Sequence, residues 1–406
     1  MKKNTVIYIG NFSFPLGNAA GKRVYANGKI LKELGYKVIF IGVDKEVEKR
    51  DPLEATEKEY DGFVYYNFPY PRSNLDWANY PKIFNNLKSF LYDKKIIDNL
   101  AFVIYYGSPT LSLFNTKLIR FCKKQKIKVI ADCVDWLTVK TNNFIFDMVK
   151  WLDNNYQKAY ANKKTDGIIA ISSYLSNYYK KSGCNTVIIP PLSPTDFSLE
   201  ESRIMNNNKK SISYAGIPFR KGQQVKDISK LKDRIDKAII LLHQAKKCGC
   251  DFVFNIYGFT KDEYTKAIPQ QKKFIDELGE SIIFHGLKPN KEVVDSVIKS
   301  DFTILIRDVS RDTMAGFPTK VSESISCGTP VITTRTSDLE NFIVEGTNGF
   351  FIDTINDEKA TQKKINEILS YDSVKLKSIK KSCVESKIFY YRNYISDLAS
   401  FIEKVK

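Results

Sequence analysis

Three features of the sequence predict an α/β chain of two Rossmann-like domains. Short apolar, β-rich runs alternate with amphipathic helical stretches over most of the 406 residues. The runs are nearly continuous in apolar character, the pattern of parallel strands covered by helices on both faces. A stretch rich in proline, serine and asparagine interrupts the alternation near the middle, in a chain longer than one ordinary domain.

In the first half the predicted strands are residues 6–9, 38–41, 102–106, 129–131, 167–171 and 187–189, with helices such as 22–34 and 113–124 between them. The second half repeats the pattern with strands at 212–214, 252–257, 282–284, 302–306, 331–334 and 349–352. The reading therefore divides the chain into a first domain, 1–195, a linker, 196–210, a second domain, 211–385, and a C-terminal helix within 386–406. Two such domains are expected to face each other across a central cleft at the carboxyl ends of their strands.

Composition narrows the class. Hydrophobic residues at 43% and aromatics at 13% supply two cores, which excludes a disordered chain. The seven cysteines and two histidines (His243, His285) are scattered without zinc-site spacing, so a reduced, cytoplasmic setting is expected. The N-terminal apolar run is too short for a signal peptide and reads as the first strand. No run approaches the ~20 apolar residues needed to span a bilayer. The net charge of +17 is spread along the chain and accompanies no nucleic-acid module. It fits a phosphate-bearing substrate or peripheral contact with an anionic membrane on its inner face.

Residues 315–332, AGFPTKVSESISCGTPVI, are the most informative segment. A Gly-Phe-Pro turn leads into a helix that carries Lys320 and Glu323, between two predicted strands. The unpaired amides and dipole of a helix N-terminus form an anion site. Lys320 adds a cation there, and Glu323, one turn further, can accept hydrogen bonds from two sugar hydroxyls. Phosphate beside a diol is what a nucleotide sugar presents.

Other candidates follow strands. The loop 11–22, NFSFPLGNAAGK, opens a helix and contains Gly17 and Asn18, but it is not a dinucleotide fingerprint. Arg220 and Lys221 come just after the first strand of the second half, with Lys226 and Lys232 as further cations. Arg307 ends a strand. Asp132 and Asp135 follow another, and His285 reads as a structural histidine or part of a base-binding wall. No D-x-D triplet occurs to present a metal to a diphosphate, so side-chain cations are the expected counter-charge. Residues 69–100 interleave Trp77, Tyr80, Phe84, Phe90 and Leu91 with lysines, which fits either core packing or a membrane-docking face.

The 315–332 segment, with DFTILIRD at 301–308, SDL at 337–339 and EGTNGFF at 345–351, resembles the donor site of family-four retaining glycosyltransferases. More narrowly it resembles a bacterial polysaccharide-biosynthesis branch. The resemblance is specific over 252–351 and weaker before it. It implies the two-domain GT-B fold and transfer of a hexosyl-type group, with retention, from a nucleoside-diphosphate sugar to a hydroxyl of a glycan or lipid-linked saccharide. On that reading the first domain takes the acceptor, and the C-terminal helix crosses back to it. Gly17, Asn18, Arg307, Gly316, Phe317, Thr319, Lys320 and Glu323 bind the donor, while Arg220, Lys221 and Asp135 serve the chemistry, with no metal and no cofactor. Two departures stand out: Ile217 replaces the usual arginine after the glycine, and Ala315 replaces the first glutamate of an E-x7-E pair. The second departure motivates a rival reading, a non-catalytic nucleotide-sugar-binding subunit. A nucleotide-sugar epimerase is the other.

Overall fold

The computed structural model describes residues 3–107, 111–136, 144–198, 209–354 and 357–406. It divides into two compact units. The first comprises Met1–Pro194 with Ala315–Phe317 and Tyr390–Lys406, and the second Thr195–Met314 with Pro318–Phe389. Residues 199–208 of the expected linker lie outside the described residues.

The first unit is built on β1 (Thr5–Gly10), β2 (Lys37–Asp44), β3 (Lys58–Tyr60), β4 (Phe63–Pro69), β5 (Leu100–Gly107), β6 (Lys128–Cys133), β7 (Gly167–Ala170) and β8 (Thr186–Ile188). They form one sheet in the order β3-β4-β2-β1-β5-β6-β7-β8, with only β3 antiparallel to its neighbour. Strand order reverses between β1 and β5. Every residue of β1 is buried, as its unbroken apolar run requires.

Val6, Phe102, Ile130 and Ile169 from the sheet share a core with Leu398, Phe401, Ile402 and Val405 of the helix Ile395–Val405. Gly167 permits that packing, because a Cβ there would lie 2.6 Å from the Phe401 ring. Tyr391 and Arg392, just before this helix, donate to Glu33 Oε1 at 3.0 and 2.9 Å.

Residues 80–91 settle as core: Tyr80, Phe84, Leu87, Phe90 and Leu91 are buried, and Phe84 packs edge-on against Phe114 and Phe121, whereas Trp77 is half-buried and Leu75 exposed. Lys82, Lys88, Lys94 and Lys95 are exposed. The core-packing alternative therefore holds for the apolar face of the helix Ile83–Asp93, which is covered.

The second unit holds β9 (Lys210–Ala215), β10 (Phe252–Tyr257), β11 (Ile282–Phe284), β12 (Phe302–Leu305), β13 (Val331–Thr333) and β14 (Gly349–Phe351). Its sheet is parallel throughout, in the order β11-β10-β9-β12-β13-β14. Strand order reverses between β9 and β12, so the connections leaving their carboxyl ends diverge. A doubly wound sheet opens its ligand crevice at such a point.

Candidate functional site

The switch point of the second unit gathers the charged residues that matter. β9 ends in Tyr214 and Ala215, with Gly216 next, and β12 runs out through Ile306 into Arg307. Asp233 is buried between them. Its carboxylate accepts from Arg307 Nε at 2.8 Å and from the Tyr214 hydroxyl at 3.0 Å, and it pairs with the Lys320 ammonium. Lys320 also lies over the Tyr214 ring, 4.6 Å from its centroid. Burial opposes ionisation of Asp233, but the Lys320 and Arg307 charges outweigh it and hold the carboxyl well below the usual carboxylate range. Burial, then the Asp233 charge, push the Tyr214 phenol well above its ordinary value.

The backbone fixes this cluster. Arg307 N–H donates to Thr334 Oγ1 at 2.9 Å, and the Thr334 hydroxyl donates back to the Arg307 carbonyl at 2.6 Å. Arg234 N–H donates to the Ile306 carbonyl at 2.8 Å, which ties the segment bearing Asp233 to the end of β12. Glycine at 216 leaves room for the lysine, as a Cβ there would come within 2.8 Å of Lys320 Cε. Gly258, at φ +121°, meets the Gly216 carbonyl so closely that a side chain would collide with backbone.

Lys320 sits in the first turn of the helix Thr319–Ser326, which follows Pro318 and carries no side-chain cap. Its N-terminal amides and Lys320 form a positive site suited to phosphate oxygens, backed by Arg307, which is buried in its pair with Asp233. Only 29% of the Lys320 side chain is exposed, so the charge acts in a partly desolvated setting where it is worth more than in water. Glu323, half-buried one turn on, lines a pocket of about 70 Å³ together with Tyr214, Lys320, Val293 and Val297. A carboxylate and a cation at one mouth, with valines behind, suit a sugar hydroxyl pair beside a flat apolar ring.

The remaining candidates fall elsewhere. Gly316 and Phe317 are buried and Thr319 is half-buried, in the turn that delivers Lys320. Arg220 and Lys221 lie on an exposed loop after Phe219, which packs on Phe259 with ring centroids 5.0 Å apart. Lys221 pairs with Glu263 at 2.9 Å, whereas Arg307 and Lys320 converge on Asp233. Lys226 and Lys232 are exposed. His285 bonds to Asn255 Oδ1 at 2.9 Å and stacks on Tyr257 at 4.4 Å and 5°, while burial lowers its pKa.

In the first unit, Gly17 closes a turn through its N–H to the Ser13 carbonyl at 3.1 Å. A Cβ on Gly17 would lie 2.7 Å from Ser13 Cβ. Asn18 caps the helix Ala19–Glu33 by accepting from Gly21 N–H at 2.8 Å. Asp135 is exposed just past β6. Asp132, inside that strand, is fully buried and paired with Arg23 at 2.7 Å.

Asp233 and Tyr214 were not legible as site residues. Asp233 sits in the run KDRIDK, which reads as a solvated helix start, and Tyr214 reads as a strand residue. Among the described residues, no group of three or more His, Cys, Asp or Glu is placed to hold a metal ion.

Comparison with known proteins places the architecture first. The whole chain superposes on solved GT-B glycosyltransferase structures, and two Rossmann-like domains define that fold. A sucrose-phosphate synthase from Thermosynechococcus elongatus aligns at TM-score 0.70 and 14% identity, over 99% of both chains. The trehalose-6-phosphate structure from E. coli, bound with UDP-2-fluoro glucose, aligns at 0.65 and 10%, over 99% of both. Anabaena Alr3699/HepE, in complex with UDP and glucose, aligns at 0.61 and 12%, over 98% of this chain and 99% of the other. Residues 226–382 match the model of glycosyl transferases group 1. No curated protein matches the chain. The matched segment contains Asp233, Arg307, Lys320 and Glu323.

Proposed function

We propose that the chain is a retaining glycosyltransferase that moves a sugar from a nucleoside-diphosphate sugar to a hydroxyl of a glycan or lipid-linked acceptor, in bacterial surface-polysaccharide assembly. The observation that carries the reading is the convergence of Arg307 and Lys320 on Asp233, with Lys320 at an uncapped helix N-terminus one turn before Glu323, within the segment matched to group 1 glycosyl transferases. The diphosphate lies against Lys320, Arg307 and the amides of Thr319 and Lys320. The ribose hydroxyls bond to Glu323, and the base enters the small pocket behind it. The first unit takes the acceptor.

Chemistry follows from charge. As the glycosidic bond to the leaving diphosphate breaks, negative charge grows on the phosphate oxygens, and cations in a partly desolvated site stabilise it. Lys221 and Arg220 reach the same oxygens once the donor draws their loop inward, with Lys221 leaving Glu263. The acceptor hydroxyl gives its proton to the departing phosphate oxygen or to Asp135. Both histidines of the chain belong to the second unit, so no histidine of the first unit serves as an inverting base. No metal takes part in this scheme.

The test is a transfer assay in EDTA with UDP-sugars and other nucleoside-diphosphate sugars, read by nuclear magnetic resonance at the new anomeric centre. A product with the donor's configuration, formed in EDTA, is expected. Inversion, or activity restored only by a divalent cation, overturns that part of the scheme. Release of a free epimerised sugar without acceptor overturns transfer altogether.

A further inference from the structure

From Asp147 onward the helix Phe144–Tyr156 of the first unit turns polar side chains inward. Asn154 is buried, and so is Gln157, which begins the following turn. Gln157 donates to the Tyr105 hydroxyl at 3.3 Å and accepts from Asn115 at 3.2 Å. Asp153 turns towards Ser112, accepting from its N–H at 3.3 Å. The large apolar side chains point the other way: Met148 is 44% exposed, Val149 52%, Trp151 61% and Leu152 53%. The Ser112–Asp153 contact joins this helix to the helix Ser112–Lys124, whose Leu113 is 60% exposed, and Tyr160, in the turn that follows, is 44% exposed. A surface helix normally buries its apolar stripe, and a contiguous exposed one marks a contact surface.

What the face contacts is decided by its surroundings. Residues 144–164 carry Lys150, Lys158, Lys163 and Lys164 against Asp147 and Asp153, and Asp153 is committed to Ser112. Lys158 lies over the Trp136 ring at 4.3 Å and Lys164 over the Tyr160 ring at 5.5 Å, so cationic heads and aromatic rings form one border. Apolar side chains at the centre with lysine, tyrosine and tryptophan at the edge match a lipid headgroup boundary. A second copy would bring another lysine cluster against this one, in a chain of net charge +17. Anionic headgroups meet the same charge with attraction.

We infer that the face formed by Leu113, Met148, Val149, Trp151, Leu152 and Tyr160, bordered by these lysines, docks the first unit on an anionic lipid bilayer. Trp151 and Leu152 enter the headgroup–acyl boundary, and the lysines hold the phosphates around them. Among the described residues, no helix is long and apolar enough to cross a membrane, so this contact is interfacial.

The test is vesicle co-sedimentation of the full chain. Vesicles of equal parts phosphatidylcholine and phosphatidylglycerol are compared with vesicles of phosphatidylcholine alone. The chain is expected to bind the anionic vesicles and to release at high salt. Trp151→Ala and Leu152→Ala should each weaken binding roughly tenfold, in line with the apolar area lost. Both positions are exposed, and unchanged thermal unfolding verifies that the variants fold. Leu75→Ala, 74% exposed outside this face, should bind as the unaltered chain does. Binding unaffected by Trp151→Ala and Leu152→Ala, absence of vesicle binding, or a dimer in solution that the same substitutions dissociate would each overturn the assignment.

Discussion

Each unit buries one aspartate between an arginine and a tyrosine, and the two arrangements differ in a single respect. In the first unit Asp132 accepts from Arg23 and from the Tyr8 hydroxyl, and Arg23 spends its Nη1 on the Ile189 and Pro190 carbonyls at 2.8 and 3.2 Å. Neither charge reaches solvent to any extent. In the second unit Asp233 accepts from Arg307 and Tyr214, but its third partner is Lys320, whose side chain remains partly exposed at the mouth of a pocket. The same carboxylate, guanidinium and phenol thus build a closed strut in one unit and, in the other, a cluster with one cation left partly open. A buried ion pair alone is therefore weak evidence of function. A cation left partly open beside a helix N-terminus is stronger.

The comparison breaks most visibly at Arg23. Arg23→Met strands the Asp132 charge in the core, and a loss of about 3–5 kcal/mol is expected. Denaturant unfolding measures it, and whatever fraction remains folded should bind nucleotide with unchanged affinity. Acid stability sharpens the contrast next. Because the Asp233 carboxyl is held below its unfolded value of about 3.9, its stabilisation is complete above that value and lost as pH falls through the folded one. Asp233→Asn should lower stability at neutral pH and flatten the acid limb of the stability curve. An acid limb as steep as before would contradict the ionised cluster.

Smaller effects are expected at Glu323 and Lys221. Glu323→Gln should weaken nucleoside-diphosphate binding about tenfold while leaving the thermal midpoint of the ligand-free protein in place, as calorimetry would show. Lys221→Ala, at an exposed pair, should leave ligand-free stability unchanged and lower turnover without altering the affinity for nucleotide. A Lys221→Ala variant with full turnover would leave the counter-charge to Arg307 and Lys320 alone.

Much of this architecture was legible because a parallel sheet demands it. The strand expected at 252–257 is Phe252–Tyr257, and that expected at 282–284 is Ile282–Phe284. Helix Ser112–Lys124 starts one residue before its expected position, 113–124. β3 and β4 escaped notice: β4 reads FVYYNFP, with no clear alternation of apolar and polar positions, and buries Asn67. The C-terminal half of the helix Phe144–Tyr156 defeats pattern reading for the opposite reason, since Asn154 is buried there while Trp151 and Leu152 are exposed. In the site, Lys320 and Glu323 announce themselves through the turn and helix that hold them. Asp233 does not, because a carboxylate among lysines looks solvated until the fold brings Arg307 and Tyr214 to it.

Calorimetric titration of the unaltered protein and of Lys320→Ala with UDP, GDP, ADP and dTDP in EDTA tests the central claim most directly. The unaltered protein should bind one of these nucleotides without metal, and Lys320→Ala should lose about a hundredfold in affinity, roughly 2.7 kcal/mol. Equal affinity in the two proteins, or no binding of any nucleoside diphosphate by the unaltered chain, would contradict the assignment of the Asp233–Lys320 cluster as the donor site.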